Sequence, residues 1–68
     1  MSPLAKLLEA ALFASSRPLT LDDLGALDPS AAVEDVRGAL DEVRAAFATD
    51  DDHGVELVEI AQGWQFLT

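Results

Sequence analysis

The residues best equipped for chemistry stand in one run, Asp50, Asp51, Asp52 and His53, within the polar stretch "TDDDHG" at 49 to 54. Carboxylates and imidazole are metal ligands. Their spacing matches no calcium loop, however, and four adjacent side chains do not easily converge on one ion. The run reads as a solvated loop. His53 is the only histidine, so no nucleophile can be matched with a second base. The four glycines, Gly25, Gly38, Gly54 and Gly63, form no phosphate-binding loop. With no cysteine there is neither a disulfide nor a thiolate metal site. No catalytic residue, cofactor or metal is expected, and the chain does not read as an enzyme.

Charge narrows the partners. Thirteen acids against four bases leave a net charge of −9, a field that repels nucleic acid and anionic membrane surfaces. There is no basic segment leading into an apolar run, and no stretch approaches the length of a membrane span. A cytoplasmic location is expected. Half of the 68 residues are hydrophobic. For one small domain, whose core yields only a few kcal/mol of net stability, that is a generous share. Part of the surplus suits burial against a partner.

The elements that would position such a contact are legible in order. Ser2 is placed to cap a first helix with Pro3 at its first position. Leu4, Leu7, Leu8, Ala11 and Leu12 then form a stripe at helical spacing, with Phe13 on the opposite side. A helix this apolar is buried on more than one side, either by the rest of the domain or by a partner. "SSRP" at 15 to 18 ends it, because Pro18 disfavours a helical Arg17. Thr20 caps a short second helix by accepting from the amide of Asp22 or Asp23, and Leu19 and Leu24 have the spacing of a hydrophobic staple. Gly25, Asp28 and Pro29 stop it near Leu27.

A third helix is expected to start from Asp28 or Ser30, with Pro29 in its first turn. Val33, Val36, Leu40, Val43 and Phe47 form its core stripe. Gly38 costs this helix about 1 kcal/mol relative to alanine. Beyond the loop, "VELVEI" and "WQFLT" read as two strands around a turn at Ala61, Gln62 and Gly63. Alternation breaks at Leu57 and Val58, which suggests a twist or bulge. Three helices with a helix-turn-helix, followed by a two-stranded hairpin wing, make an α+β winged helix spanning residues 1–68 as a single domain.

The stretches "LLEAALFASSRPLTLDDLGAL" and "GVELVEIAQGWQFLT" resemble the opening domain of segregation and condensation protein B (ScpB). The resemblance rests on Glu9, Ala10, Leu12 and Phe13, on Pro18 and Leu19, on Gly54, Val55, Glu56 and Leu57, and on Gly63, Trp64 and Thr68. Ser16 and Arg17 depart from the Gly-Glu pair common before the proline. The resemblance implies the N-terminal domain of a longer two-domain protein. It also implies a non-enzymatic, nucleoid-associated subunit of the bacterial SMC–kleisin complex, active in chromosome condensation and partition. Such a subunit forms a homodimer and binds the kleisin ScpA and, through it, the SMC ATPase.

A winged helix also suits a DNA-reading transcription regulator. That alternative calls for a basic stripe on the third helix or wing. The third helix instead carries Arg37 and Arg44 against Glu34, Asp35, Asp41 and Glu42, and the hairpin carries Glu56 and Glu59. The reading favoured by the residues is a protein-binding domain with no direct nucleic-acid contact. Its candidate interface residues are Leu4, Leu8, Phe13, Trp64 and Phe66.

Overall fold

The structure is a computed structural model that describes residues 1–48 and 54–68. The run Asp50, Asp51, Asp52 and His53 lies outside the described residues. Among those described, the elements follow as α1 (Pro3–Ala14), β1 (Leu19–Thr20), α2 (Leu21–Gly25), α3 (Val33–Ala48), β2 (Glu56–Ile60) and β3 (Gly63–Leu67). The strands form one antiparallel sheet in the order β1-β3-β2. This is an α+β winged-helix-like fold. The sheet has a third strand in addition to the expected hairpin: Leu19 and Thr20 pair with Trp64 and Gly63. Two residues give no detectable alternation in a sequence, so β1 had no pattern to read.

Both early caps form as the residues dictate. The Ser2 hydroxyl accepts from the Ala5 amide at 3.1 Å. Thr20 accepts from the Asp23 amide at 3.1 Å, while the Asp23 carboxylate accepts from the Thr20 amide at 2.9 Å, closing a capping box. After Ala14 the backbone turns extended at Ser15, and Arg17 bridges forward to Asp23 at 3.1 Å.

The start of α3 differs from the expectation. Asp28 and Ser30 do not cap it, because they bind each other: the Asp28 carboxylate accepts from the Ser30 amide at 3.1 Å and from its hydroxyl at 2.6 Å. The helix begins at Val33, and Asp35 reaches back to accept from the Ala32 amide at 3.0 Å. The acid at the third helical position thus does half the work of a capping box, with no side chain available on Ala32 to complete it.

One core gathers Ala5, Leu8 and Leu12 of α1, Leu24 of α2, Val36, Ala39, Leu40 and Val43 of α3, and Leu57 of β2. Leu19, Leu21, Phe47, Trp64 and Phe66 pack around it. The α1 stripe is rotated from the one expected. Ala5 is buried, whereas Leu7 is 42% exposed. At the head of the α3 stripe, Val33 is left exposed.

The hairpin also corrects two details. Its register runs unbroken from Glu56 opposite Leu67 to Ile60 opposite Gly63, without a bulge at Leu57 and Val58. The turn is made by Ala61 and Gln62 alone, with φ of 48° and 68°. Gly63 is already in the strand.

Candidate functional site

The apolar surplus emerges at the far end of α1. Leu8 is fully buried and Leu12 nearly so, yet Phe13 remains 52% exposed. The domain therefore covers one stripe of α1 and leaves Leu7 and Phe13 at the surface. Phe13 is not isolated. It stacks on Phe66 of β3, with ring centroids 4.1 Å apart and planes 19° apart. Phe47, in the last turn of α3, meets both rings edge-on, at 5.8 Å from Phe13 and 4.9 Å from Phe66. Stacked and edge-to-face pairs are each worth about 0.5–1.5 kcal/mol beyond their buried area. The Phe13 ring is consequently held in place while its outer face stays open.

The five candidate residues do not converge. Phe13 and Phe66 come together, and Phe47, which the helical spacing placed in the core stripe, joins them. Leu8 belongs to the core and has no surface to offer. Trp64 lies on the same sheet face as Phe66 but farther along β3, where it meets Arg37, Leu40, Asp41 and Arg44 of α3 and Glu59 of β2 around a cavity of about 120 Å³. Each cation there has an acid close by on the helix or wing, so no uniformly basic stripe forms. Leu4 sits apart, at the opposite end of α1.

Leu4 lines a second and larger feature, a groove of about 560 Å³ between the start of α1 and one face of α3. Leu4, Ala31, Gly38 and Ala39 are among the residues that line it. Asp28, Glu34, Asp35 and Glu42 also line it, with no lysine or arginine among the lining residues. Glu42 ties the two helices across the groove's end: its carboxylate accepts from the Ser2 amide at 3.0 Å and the Ser2 hydroxyl at 2.8 Å. The Ser2 hydroxyl is the main cause, and its amide the next, of a Glu42 pKa held below the ordinary carboxylate value. Asp23 is lowered likewise, first by the Thr20 amide and then by Arg17. The groove was not anticipated. Its one sequence signal was Gly38, a glycine inside a helix without a local reason.

Among the described residues no group of three or more acids or histidines is placed to hold a metal ion. No helix there is long and apolar enough to cross a membrane.

The domain is thus an acidic winged helix with a half-exposed aromatic cluster. The sequence model described as segregation and condensation complex subunit ScpB matches residues 6–68. The chain belongs to the ScpB family. Its role accordingly lies in the complex for chromosome segregation and condensation, and Phe13, Phe47 and Phe66 all fall inside the matched span. Compared individually with curated proteins, this ScpB-family chain has no significant match.

Proposed function

We propose that this domain acts as a non-enzymatic protein-binding module. It dimerises and helps hold the kleisin ScpA, and through ScpA it acts with the SMC ATPase on the nucleoid in the cytoplasm. It makes no direct contact with DNA. One observation carries the choice of surface: Phe13 is fixed by Phe66 and Phe47 but half exposed. Aromatic anchors held in one conformation give up little entropy on binding and are common hot spots of interfaces. Leu4 and Trp64 are secondary candidates at separate places on the surface, and Phe66 acts by supporting Phe13.

Charge supports protein over DNA. DNA affinity comes largely from neutralising phosphates, whereas α3 carries four acids against two arginines and β2 adds Glu56 and Glu59. The DNA-regulator alternative lacks the basic helix it needs.

Sedimentation equilibrium and titration with ScpA test the proposal. The expected results are self-association at high micromolar concentration, ScpA binding, and no measurable duplex binding at about physiological salt. Phe13→Asp is expected to weaken dimerisation or ScpA binding, as is Trp64→Ala, with circular dichroism confirming that each variant folds. A strict monomer that also ignores ScpA refutes the proposal. Micromolar binding to duplex DNA with a steep salt dependence refutes its electrostatic part.

A further inference from the structure

We infer that the solvent-facing stripe of α1 is where a second copy of this chain docks, the two α1 helices lying antiparallel with Ala10 against the partner's Ala10. The inference rests on the self-association reading above and names the face and geometry which that reading leaves open.

The core takes Ala5, Leu8 and Leu12 of α1. Pro3, Lys6, Leu7, Ala10, Phe13 and Ala14 are exposed, and at about 100° per residue they fall within an arc of roughly 120°. A surface helix ordinarily turns charged and polar residues to this side. Here only Lys6 is charged. Ala10 lies at the middle of the arc, with Leu7 at one flank and Phe13 at the other, 42% and 52% exposed. The stripe is thus continuous with the Phe13 ring that Phe66 and Phe47 hold in place.

Charge says what covers it. A second copy carries the same −9, so two copies repel each other wherever acids face acids. α1 exposes no acid, whereas α2 exposes Asp22, α3 exposes Glu34, Asp35, Asp41 and Glu42, and β2 exposes Glu56 and Glu59. The stripe also fits itself. With a two-fold axis at Ala10, residues equally far on either side come level, Leu7 with the partner's Phe13 and Lys6 with the partner's Ala14. The alanine pair on the axis allows the helices to approach to about 8 Å, the close end of helix packing. Lys6 then meets the C-terminal carbonyls of the other α1, the negative end of a helix whose last turn has no base of its own. A parallel pair would set like helix ends, and the two lysines, side by side. With 12 residues α1 is about 18 Å long, a short contact that suits a reversible dimer rather than an obligate one.

The chain has no cysteine, so a single introduced one reports its own neighbours. The test compares the parent chain with Ala10→Cys, Arg37→Cys and Ala10→Glu, each checked for helical circular dichroism. Under mild oxidation at high micromolar concentration, Ala10→Cys is expected to form disulfide-linked dimers at least tenfold faster than Arg37→Cys, because a residue on the two-fold axis faces itself. Ala10→Glu sets an acid on each side of the axis and is expected to raise the dimer dissociation constant at least tenfold in sedimentation equilibrium. If Ala10→Glu loses its helical signal, the cross-linking rates alone decide. A parent chain that dimerises overturns the α1 face, and leaves self-association standing, if folded Ala10→Glu dimerises as tightly or Ala10→Cys cross-links no faster than Arg37→Cys. A parent chain that stays monomeric at high micromolar concentration overturns both.

Discussion

Gly63 and Pro18 approach so closely that no side chain fits between them. A Cβ on Gly63 would lie 2.9 Å from the Cβ of Pro18 and 3.1 Å from the carbonyl oxygen of Leu19. Gly63 opens the central strand, paired with Thr20 on one side and Ile60 on the other. The chain leaving α1 can lie flat on the sheet only because this residue has no side chain. Gly63→Ala is expected to lower stability by about 1–3 kcal/mol, the range for overpacking a tight site. The obstacle is partly backbone, which cannot rotate away. Urea unfolding checks this, and an unchanged midpoint would mean that β1 is free to shift.

The turn beside it makes the opposite prediction. Ala61 and Gln62 both occupy the left-handed region, where a residue with a Cβ is strained by roughly 1–2 kcal/mol. Gln62→Gly is expected to relieve most of that strain and to raise stability by about 1 kcal/mol, offset in part by the greater freedom of glycine in the unfolded chain. A higher thermal midpoint is the sign to look for.

Leu40 lies in the middle of α3 at 3% exposure. Leu40→Asp would place a carboxylate within the buried stripe of Val36, Leu40 and Val43, and burying a charge there costs more than a small domain has to spare. Loss of the helical circular dichroism signal at 25 °C is expected. Retention of the native melting temperature would contradict the helix register.

Acid should loosen two tethers. Asp23 and Glu42 both have pKa values lowered in the folded state, the first chiefly by the Thr20 amide and the second chiefly by the Ser2 hydroxyl. A carboxyl group depressed on folding contributes stability that is fully present above its unfolded pKa and is lost as pH falls through the lowered one. Stability is therefore expected to decline below the ordinary carboxylate range. A chain carrying both Asp23→Asn and Glu42→Gln should show a shallower decline over the same interval. Both groups are solvent-exposed, so the effect is modest. Urea midpoints measured against pH for the two chains report it.

Much of the architecture could be read before any coordinates. Ser2 and Thr20 announced their helices because a cap is a contact between residues two or three apart. The α3 stripe of Val36, Leu40 and Val43 was equally plain, because helical periodicity records which face is buried. Composition and charge likewise exposed an acidic domain with more apolar residues than it needs. The choice among competing local partners was not legible. Asp28 and Ser30 each suit a helix cap, and only the folded turn shows that they satisfy each other.

The candidate interface shows the same division. Phe13, Trp64 and Phe66 were recognisable as aromatics able to anchor a contact, but Leu8 looked no different from Leu4 until the core closed over it. Phe13 and Phe66 are 53 positions apart in the numbering, and no short-range pattern foretells a 4.1 Å stack. Local sequence determined where helices start, which faces are apolar and what sign of charge surrounds them, because those properties act between near neighbours in the chain. Tertiary structure decided which apolar residues stay outside and that Gly38 opens a groove, because exposure is set by what distant segments happen to cover.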